Sequence, residues 1–305
     1  MEALSKAFGD LVVVSIGALV AMAVVTALLL WVALRVKKSW RNSWRDTLSG
    51  GILRPPGWGC IERREDALAE ASMLIVATMI FWGILAYAAI MDSKDSVVGL
   101  AIVLVPTTVF SANRIRKLVL TARTAWLGFL GEALVAEKLV TLIADGWHVF
   151  HDVPMESNGK HYNIDHVVVG KGGVFVLETK ARSRSVVNLR GNWKVTVDGD
   201  IVNFPDGRKK DFIKQARGNA RSLRNLLNDA GIPVSYVKAL VVLPGWSVSY
   251  RKDGNQAICE AENVAGQIMK EFSKINEQLV DQIVKEMDRR CRILRFDEEN
   301  PGAGK

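Results

Sequence analysis

Cysteine is scarce in this sequence, which has only Cys60, Cys259 and Cys291 among 305 residues. Their number is odd and their spacing is not that of zinc ligands, so neither a disulfide framework nor a zinc site is predicted. The sequence also lacks a glycine-rich loop that would cradle phosphate, a Cys-His dyad and a Ser-His-Asp arrangement. These absences exclude several common kinds of active site and leave reduced thiols as the simple interpretation.

Charge is absent from the centres of three apolar stretches in the first third of the chain. A bilayer core needs about 20 apolar residues as a helix, because unpaired backbone groups are costly in lipid. We therefore predict an all-α membrane region of three helices, over about residues 11–36, 71–91 and 96–113. The third stretch is the shortest and contains Pro106, which can break a helix. The lack of charged groups within the spans argues against an ion pathway.

Basic residues flank these stretches unevenly. They are frequent between the first and second stretches and after the third, whereas the turn between the second and third offers only Lys94. By the positive-inside rule both basic flanks are cytoplasmic and the N-terminus is outside. We expect residues 1–123 to be an anchor in the plasma (inner) membrane and residues 124–305 to be a cytoplasmic domain. A cleaved signal peptide fits the first stretch less well, because its apolar core would run only about 7 to 15 residues.

The expected cytoplasmic domain begins with an amphipathic helix. From Ala125 to Ile143, apolar residues recur at helical spacing and form one stripe. Glu132 lies at the edge of that stripe, where it can border a buried site without entering the core. Gly146 ends the helix, and residues 147–153 predict a first strand that is closed by Pro154.

Two β-prone runs, His161–Val169 and Val174–Lys180, come next in the sequence. The four residues between Val169 and Val174 read Gly-Lys-Gly-Gly, which has the length and glycine content of a hairpin turn. With the turn centred on Lys171 and Gly172, position 170 faces position 173. In every other opposed pair, the two residue numbers add up to the same total as in this one. The sequence thus predicts both a hairpin and its register.

This register brings three reactive side chains together. Asp165 lies opposite Glu178, and opposed residues of an antiparallel pair share a face with their Cβ atoms about 4.5 to 5.5 Å apart. Lys180 is on the same face because strand side chains alternate. Two opposed acids repel, so they need a cation between them or one must hold a proton. The alternative is an exposed ion pair at a hairpin end, but the valines beside these residues are expected to be buried.

A divalent metal meets this requirement. Carboxylate oxygens suit Mg²⁺ or Mn²⁺, which keep water ligands and open positions for a phosphate oxygen. Such an ion lowers the pKa of a bound water and offsets negative charge in the transition state, while a nearby lysine can orient the hydroxide or stabilise that charge. The predicted chemistry is phosphodiester hydrolysis.

At these motifs the sequence resembles the nuclease-related domain (NERD), a branch of the PD-(D/E)XK nuclease superfamily. The resemblance is carried in order by Gly131-Glu132 on a helix, by the run from Asn163 to Val169 and by the run from Gly173 to Lys180. It covers about residues 124–243. Asn163 stands where the wider superfamily often has proline, a departure that NERD sequences commonly share.

The resemblance implies a fold and a role for each motif residue. Asp165 and Glu178 would hold the metal, Lys180 would assist the attacking water, and Glu132 would support the metal from the first helix. The implied fold is α/β, a restriction-endonuclease-like mixed sheet flanked by helices in the order α-β-β-β-α-β. We therefore expect a membrane-anchored nuclease that uses Mg²⁺ or Mn²⁺. Its expected partners are nucleic acid, DNA ahead of RNA, and the lipid bilayer.

The remaining elements are predicted from local patterns. Asp198-Gly199 is a strong hairpin signal between two short β-prone runs. The predicted elements are strands at 192–197 and 201–204, a second helix at 209–228, a buried strand at 236–243, a strand near 257–260 and a last helix from 264 through 293.

The second predicted helix carries candidate substrate contacts. Gln215 occupies the place where the resemblance supplies a polar residue near the active site, and a solvated glutamine is an equal alternative. A basic stripe about 140° around the helix from Gln215 could follow a nucleic-acid backbone, but a solvated face or attraction to anionic lipid competes with that role. The members of the stripe are Lys210, Lys214, Arg217, Arg221 and Arg224. The net charge of +8 is poor evidence for nucleic-acid binding, because part of it belongs to the basic flanks of the membrane stretches.

The histidines near the motif are interpreted as structural. His166 points to the face opposite Asp165, because neighbouring strand residues alternate. His148 and His151 lie on opposite faces of their strand and cannot both reach one ion without a bend.

Two further functions are considered beside the nuclease. In the first, the domain binds nucleic acid or a nucleotide at the membrane without cutting it. In the second, the protein is a membrane scaffold whose three helices are the working part.

Overall fold

A computed structural model describes residues 52–90, 94–157, 159–183, 193–270 and 275–292, with a few helical positions between residues 24 and 35. The first predicted membrane helix therefore lies almost wholly outside the described residues. Two long helices precede the strands, α1 (Trp58–Ile90) and α2 (Lys94–Ala144). Six strands follow: β1 (His148–Ser157), β2 (Lys160–Gly170), β3 (Gly173–Thr179), β4 (Lys194–Asp198), β5 (Ile201–Phe204) and β6 (Gly207–Lys209). After helix α3 (Phe212–Asp229) come strands β7 (Lys238–Leu243), β8 (Ser247–Tyr250) and β9 (Ile258–Glu260), a 3₁₀ turn (Ala261–Asn263), and helices α4 (Val264–Met269) and α5 (Glu277–Arg290).

The contacts divide the chain into two compact units. One contains the described part of Glu62–Thr124, and the other contains the described parts of Leu48–Ile61 and Ala125–Lys305. In the first unit, small and apolar side chains of α1 pack against α2, and Trp82 Nε1 donates a hydrogen bond to Thr108 Oγ1 over 3.0 Å. Residues 52–61, which precede most of α1, pack with the second unit rather than the first.

One helix of the described residues is long and apolar enough to cross a membrane, and its candidate span is Trp58–Tyr87. The second predicted stretch, about residues 71–91, coincides with the C-terminal part of α1. The third stretch lies in the first half of α2, and most of its residues up to 103 have side chains outside the described part. A membrane region of three helices is therefore not confirmed.

Helix α2 is longer than predicted. It runs without a break from Lys94 to Ala144, so the helix expected to begin at Ala125 is the end of a longer one. Residues 114–125 contain neither glycine nor proline, and nothing in them would stop a helix. Pro106 lies inside α2 and does not end it.

The main sheet has the strand order β1-β2-β3-β7-β9. Strands β1 to β3 form an antiparallel meander, and β7 and β9 extend it in parallel. Leaving aside the small second sheet, the order of α2, β1, β2, β3, α3 and β7 is the predicted α-β-β-β-α-β order. Valines on one face of β2 and β3, such as Val167 and Val176, pack towards α3, while Phe175 and Leu177 pack on the other face with α2.

Strand β1 does not end at Pro154, as predicted, but runs to Ser157. Among the described strands it pairs with β2 alone and lies at the edge of the sheet, so the missing N–H of proline costs no ladder hydrogen bond.

A second sheet follows the site strand, with the order β6-β5-β4-β8. Its hairpin at Asp198-Gly199 was predicted, and β8 was not. The single last helix predicted over residues 264–293 is wrong, because α4 and α5 are separate helices. Asn276 begins α5, where its side chain accepts a hydrogen bond from the backbone N–H of Leu279 over 2.7 Å.

Candidate active site

The β2–β3 hairpin has the predicted register. Gly170 pairs with Gly173, and the pairing continues one residue at a time on each strand, without a shift, to His166 and Leu177. The next positions along it are Asp165 and Glu178, at the open end of the hairpin. Their side chains share the face that packs towards α3.

Glu178 is the most fully bonded carboxylate of the site, and its residue is only 3% exposed. Its Oε1 accepts hydrogen bonds from Lys180 Nζ and Gln215 Nε2, each over 2.7 Å, and its Oε2 accepts one from Asn219 Nδ2 over 2.8 Å. These three donors hold a buried anion that would otherwise be costly. Helix α3 supplies two of them, one helical turn apart.

Lys180 follows the last residue of β3. Its backbone N–H still pairs with Val242 O over 2.9 Å, which fixes the start of its side chain. The ammonium contacts Glu178 and donates to Gln215 Oε1 over 2.9 Å, and it lies 5.6 Å from the centre of the Phe212 ring. The acid, the amide and the lysine thus form one hydrogen-bonded group.

Asp165 is partly buried beside this group. The backbone N–H of Thr179 donates to its Oδ2 over 2.6 Å. Burial raises the pKa of Asp165 well above its usual range, and the negative charges of Glu178 and Glu132 raise it further. A cation between these acids would relieve the same repulsion.

Glu132 reaches the site from α2. Gly131 beside it allows the close approach, because a Cβ there would lie 2.4 Å from the Cβ of Ala181. Glu132 is 7% exposed, and the Cys60 thiol donates to its Oε1 over 3.3 Å. Burial raises the pKa of Glu132 to about 7. The hydrogen bond from Cys60 and the Gly57 backbone oppose this rise, and the negative charges of Asp152 and Glu178 increase it.

The structure brings the four predicted motif residues and Gln215 into one neighbourhood, but it separates them from part of the basic stripe. Arg217 binds Asp200, with Nη1 and Oδ2 2.7 Å apart, and does not reach the acids. Lys210 and Lys214 are exposed, and neither forms an ion pair with a described residue.

Two contacts at the site were not predicted. Asn219 lies four residues after Gln215, and helical spacing puts these two side chains on one face, so the sequence contained a signal for it. Cys60 had no such signal, because it lies 72 positions away from Glu132.

His166 lies on the opposite sheet face from Asp165 and is fully buried, as predicted for a structural residue. Its Nδ1 is 2.8 Å from Nδ1 of His151 on β1. Burial lowers the pKa of His151 to about 4 and that of His166 well below its usual range, so both rings are neutral near pH 7.

The donor set fits a divalent metal of the magnesium type. Asp165 and Glu178 offer hard oxygen ligands on adjacent strands, and Mg²⁺ is commonly held by one or two carboxylates with water completing its shell. The described residues contain no group of three or more His, Cys, Asp or Glu side chains arranged around one metal position.

Fold and site together define a mixed α/β domain with two acids and a lysine at the open end of a hairpin. Residues 127–244 match the family model described as the nuclease-related domain, NERD. A protein of Bacillus anthracis described as uncharacterised is 41% identical over 56 residues, which are 18% of this chain and 26% of that protein. This chain thus spans about a quarter of that relative, and no solved structure matches it.

Proposed function

We propose that this protein is a membrane-anchored, metal-dependent nuclease that hydrolyses phosphodiester bonds of DNA or RNA, DNA being favoured. One observation carries the proposal: Asp165, Glu178 and Lys180 lie together at the end of one hairpin, within the region that matches a nuclease-related family. Residues 124–305 would be the nuclease domain and residues 1–123 the anchor.

Asp165 and Glu178 would hold Mg²⁺ or Mn²⁺. When bound, such an ion supplies positive charge to a phosphate oxygen and makes a water more acidic. The raised pKa of Asp165 supports this role, because the carboxyl group is in surroundings that favour a nearby cation.

The protein groups have separate tasks in this reaction. Water adds to the phosphorus, the bond to one ester oxygen breaks, and that oxygen leaves with a proton. Lys180, which donates hydrogen bonds to Glu178 and Gln215, would orient the water or balance negative charge on the phosphate. Glu132, whose pKa is raised to about 7, is suited to exchange a proton near neutral pH.

The anchor would place this chemistry at the cytoplasmic face of the membrane. Helix α1 supplies one candidate span, and the uneven distribution of Lys and Arg supports a cytoplasmic domain.

The full chain in lipid nanodiscs tests the proposal. Single-stranded and duplex DNA and RNA are incubated with it in Mg²⁺ and in EDTA, and the products are resolved by length. We expect cleavage that needs the metal and is reduced by about three orders of magnitude or more in Glu178→Ala. Glu262→Ala, a change at an exposed acid outside the site, is the matched control.

Cleavage that is equal in wild type and Glu178→Ala would refute the proposal. The alternative, a module that binds nucleic acid without cutting it, gives a different result in the same samples. In that case binding is retained, falls steeply as salt rises, and no product forms in any metal.

A further inference from the structure

The segment just before the apolar part of α1 packs against the candidate nuclease unit. Leu53 forms a β-bridge with Arg292, and the backbone N–H of Arg54 donates to Cys291 O over 2.7 Å. The Arg54 side chain reaches Asp152, with Nη1 3.2 Å from Oδ2. Residues 52–61 are thus fixed to strand β1 and to the end of α5.

Asp152 is the centre of this attachment and is 4% exposed. Besides Arg54, it accepts hydrogen bonds from the backbone N–H of Gly59 over 3.0 Å and from Asn163 Nδ2 over 2.9 Å. Its φ of 49° is unusual for a residue other than glycine. Asn163 lies two residues before Asp165, so one buried carboxylate joins the first turn of α1 to the strand that carries a site acid.

Glycines make the contact close. A Cβ on Gly57 would lie 2.8 Å from the Phe129 ring, and one on Gly128 would lie 2.9 Å from Cys60 Sγ. A Cβ on Gly59 would lie 2.8 Å from Asn163 Nδ2. No side chain larger than hydrogen fits at these positions without movement, and the first turn of α1 therefore lies directly on α2.

The packing ends at a site residue. Cys60, on the first turn of α1, donates its thiol hydrogen to Glu132 Oε1. The Gly57 main chain also lowers the pKa of this carboxylate. Cys60 and Gly57 thus act on Glu132 from one short segment that is remote in sequence.

We propose that Arg54–Cys60 is a built-in part of the active site, in which Gly57 and Cys60 position the Glu132 carboxylate and the Arg54–Asp152 pair locks the segment in place. This inference rests on the proposed nuclease function. Trp58–Cys60 are also the first residues of α1, so the segment that contacts Glu132 is continuous in sequence with the helix that contains the candidate membrane span. Catalysis then depends on residues that lie outside the part matching the family model.

Thiol labelling of the full chain in nanodiscs tests the contact without reference to activity. Cys60 is half-buried, whereas Cys259 and Cys291 are buried, and burial raises the pKa of both of these thiols to about 12. The rate of alkylation by iodoacetamide at each cysteine is followed by mass spectrometry. We expect labelling of Cys60 to rise about tenfold in Arg54→Ala and in Glu132→Ala, because local opening exposes the thiol. Labelling of Cys259, on β9 and away from the segment, reports any global unfolding, whereas Cys291 lies against Arg54 and is expected to respond together with Cys60.

Gly83→Ala is the matched control, because it lies on the same helix with no atom within 4 Å of the added Cβ. We expect the labelling rate of Cys60 in this variant to equal that in the wild type. Equal Cys60 labelling in all four proteins would overturn the inference, whether or not the wild type cleaves nucleic acid. Increased labelling in a protein that never cleaves would support the contact and refute the nuclease instead.

Kinetics test the positioning role. Cys60→Ala and Arg54→Ala are expected to lower kcat about tenfold or more with little change in KM, since a small misplacement of a catalytic group slows the reaction more than it weakens binding. Cys60→Ser keeps a donor and is expected to restore most of the lost kcat. Unchanged kcat in Arg54→Ala, together with faster labelling, would show that the segment is attached to the site without serving it.

Discussion

Asn219 Nδ2 donates a hydrogen bond to Glu178 Oε2 over 2.8 Å, inside the protein and on the side of the carboxylate opposite Lys180. Both residues are buried, so water cannot easily replace the amide. The bond therefore matters to the fold as well as to the site.

Removal of this donor should destabilise the protein. Asn219→Ala leaves a buried carboxylate oxygen without its partner, and we expect the free energy of unfolding to fall by about 1.5 to 3 kcal/mol. Chemical denaturation of the detergent-solubilised chain, followed by tryptophan fluorescence, measures the change. Asn225→Ala, at an exposed position of the same helix, is expected to change stability by less than about 0.5 kcal/mol. Equal losses of unfolding free energy in the two variants would mean that the hydrogen bond to Glu178 does not stabilise the protein.

Two helical glycines should respond oppositely to alanine. Gly131→Ala places a Cβ 2.4 Å from the Ala181 Cβ, and we expect overpacking to cost about 1 to 3 kcal/mol. Gly218→Ala on α3 meets no atom within 4 Å, and we expect a gain of about 0.5 to 1 kcal/mol from helix propensity. Thermal unfolding of both variants beside the wild type gives the two signs. A stable Gly131→Ala protein would contradict the close approach of α2 to the end of β3.

Stability in EDTA should depend on pH through Glu132. Its pKa of about 7 in the folded protein lies above the ordinary value of 4.5, because the carboxyl group is buried. Between these values the folded protein holds a proton on Glu132 that the unfolded chain has released, so the contribution of Glu132 to the free energy of unfolding falls as pH rises, by about 3 kcal/mol. Glu132→Gln should remove this part of the fall in a series of denaturant titrations from pH 4.5 to 8 and leave the part due to Asp165, whose pKa is also raised.

His151 should act in the opposite direction. Its pKa is lowered to about 4 by burial, so its contribution to stability is complete above its ordinary value of 6.5 and is lost as pH falls towards 4. His151→Asn is therefore expected to flatten the acid side of the stability profile and leave the neutral side unchanged. A profile that is the same in both single variants and the wild type would contradict both assignments.

The basic residues of α3 should differ in their contribution to nucleic-acid binding. Lys210 and Lys214 are exposed and have no ion-pair partner among the described residues, whereas Arg217 is paired with Asp200. In a Glu178→Ala background that prevents cleavage, we expect Lys210→Ala with Lys214→Ala to reduce the slope of log Kd against log salt by about 2. Fluorescence anisotropy with a DNA oligonucleotide measures the slope. Arg217→Ala should leave it nearly unchanged, and a larger effect of Arg217 would reverse the assignment.

The hairpin that carries Asp165 and Glu178 could be predicted from sequence because its turn length fixes its register. A one-residue shift would have placed the two acids on different faces, so the glycines at 170 and 173 determined the site as much as the acids did. Gln215 required the resemblance to a known family, since a glutamine on an exposed helix face has no pattern of its own.

The contacts of residues 52–60 could not be predicted in this way. Arg54 and Asp152 are 98 positions apart, and periodicity reports only local neighbours. The continuous α2 helix was missed because the change from a membrane-like to an amphipathic pattern was interpreted as a boundary between helices. The absence of glycine and proline from residues 114–125 was a local signal that the helix continues.

The central claim is that Asp165 and Glu178 share one divalent cation. Mn²⁺ titrated into the metal-free full chain and followed by electron paramagnetic resonance measures this most directly, because the signal of free Mn²⁺ diminishes as the ion binds. We expect saturable binding in the wild type, and a loss of at least about tenfold in affinity in Asp165→Asn and in Glu178→Gln but not in Glu262→Gln. Equal binding in all of these proteins, or no binding in any of them, would contradict the claim.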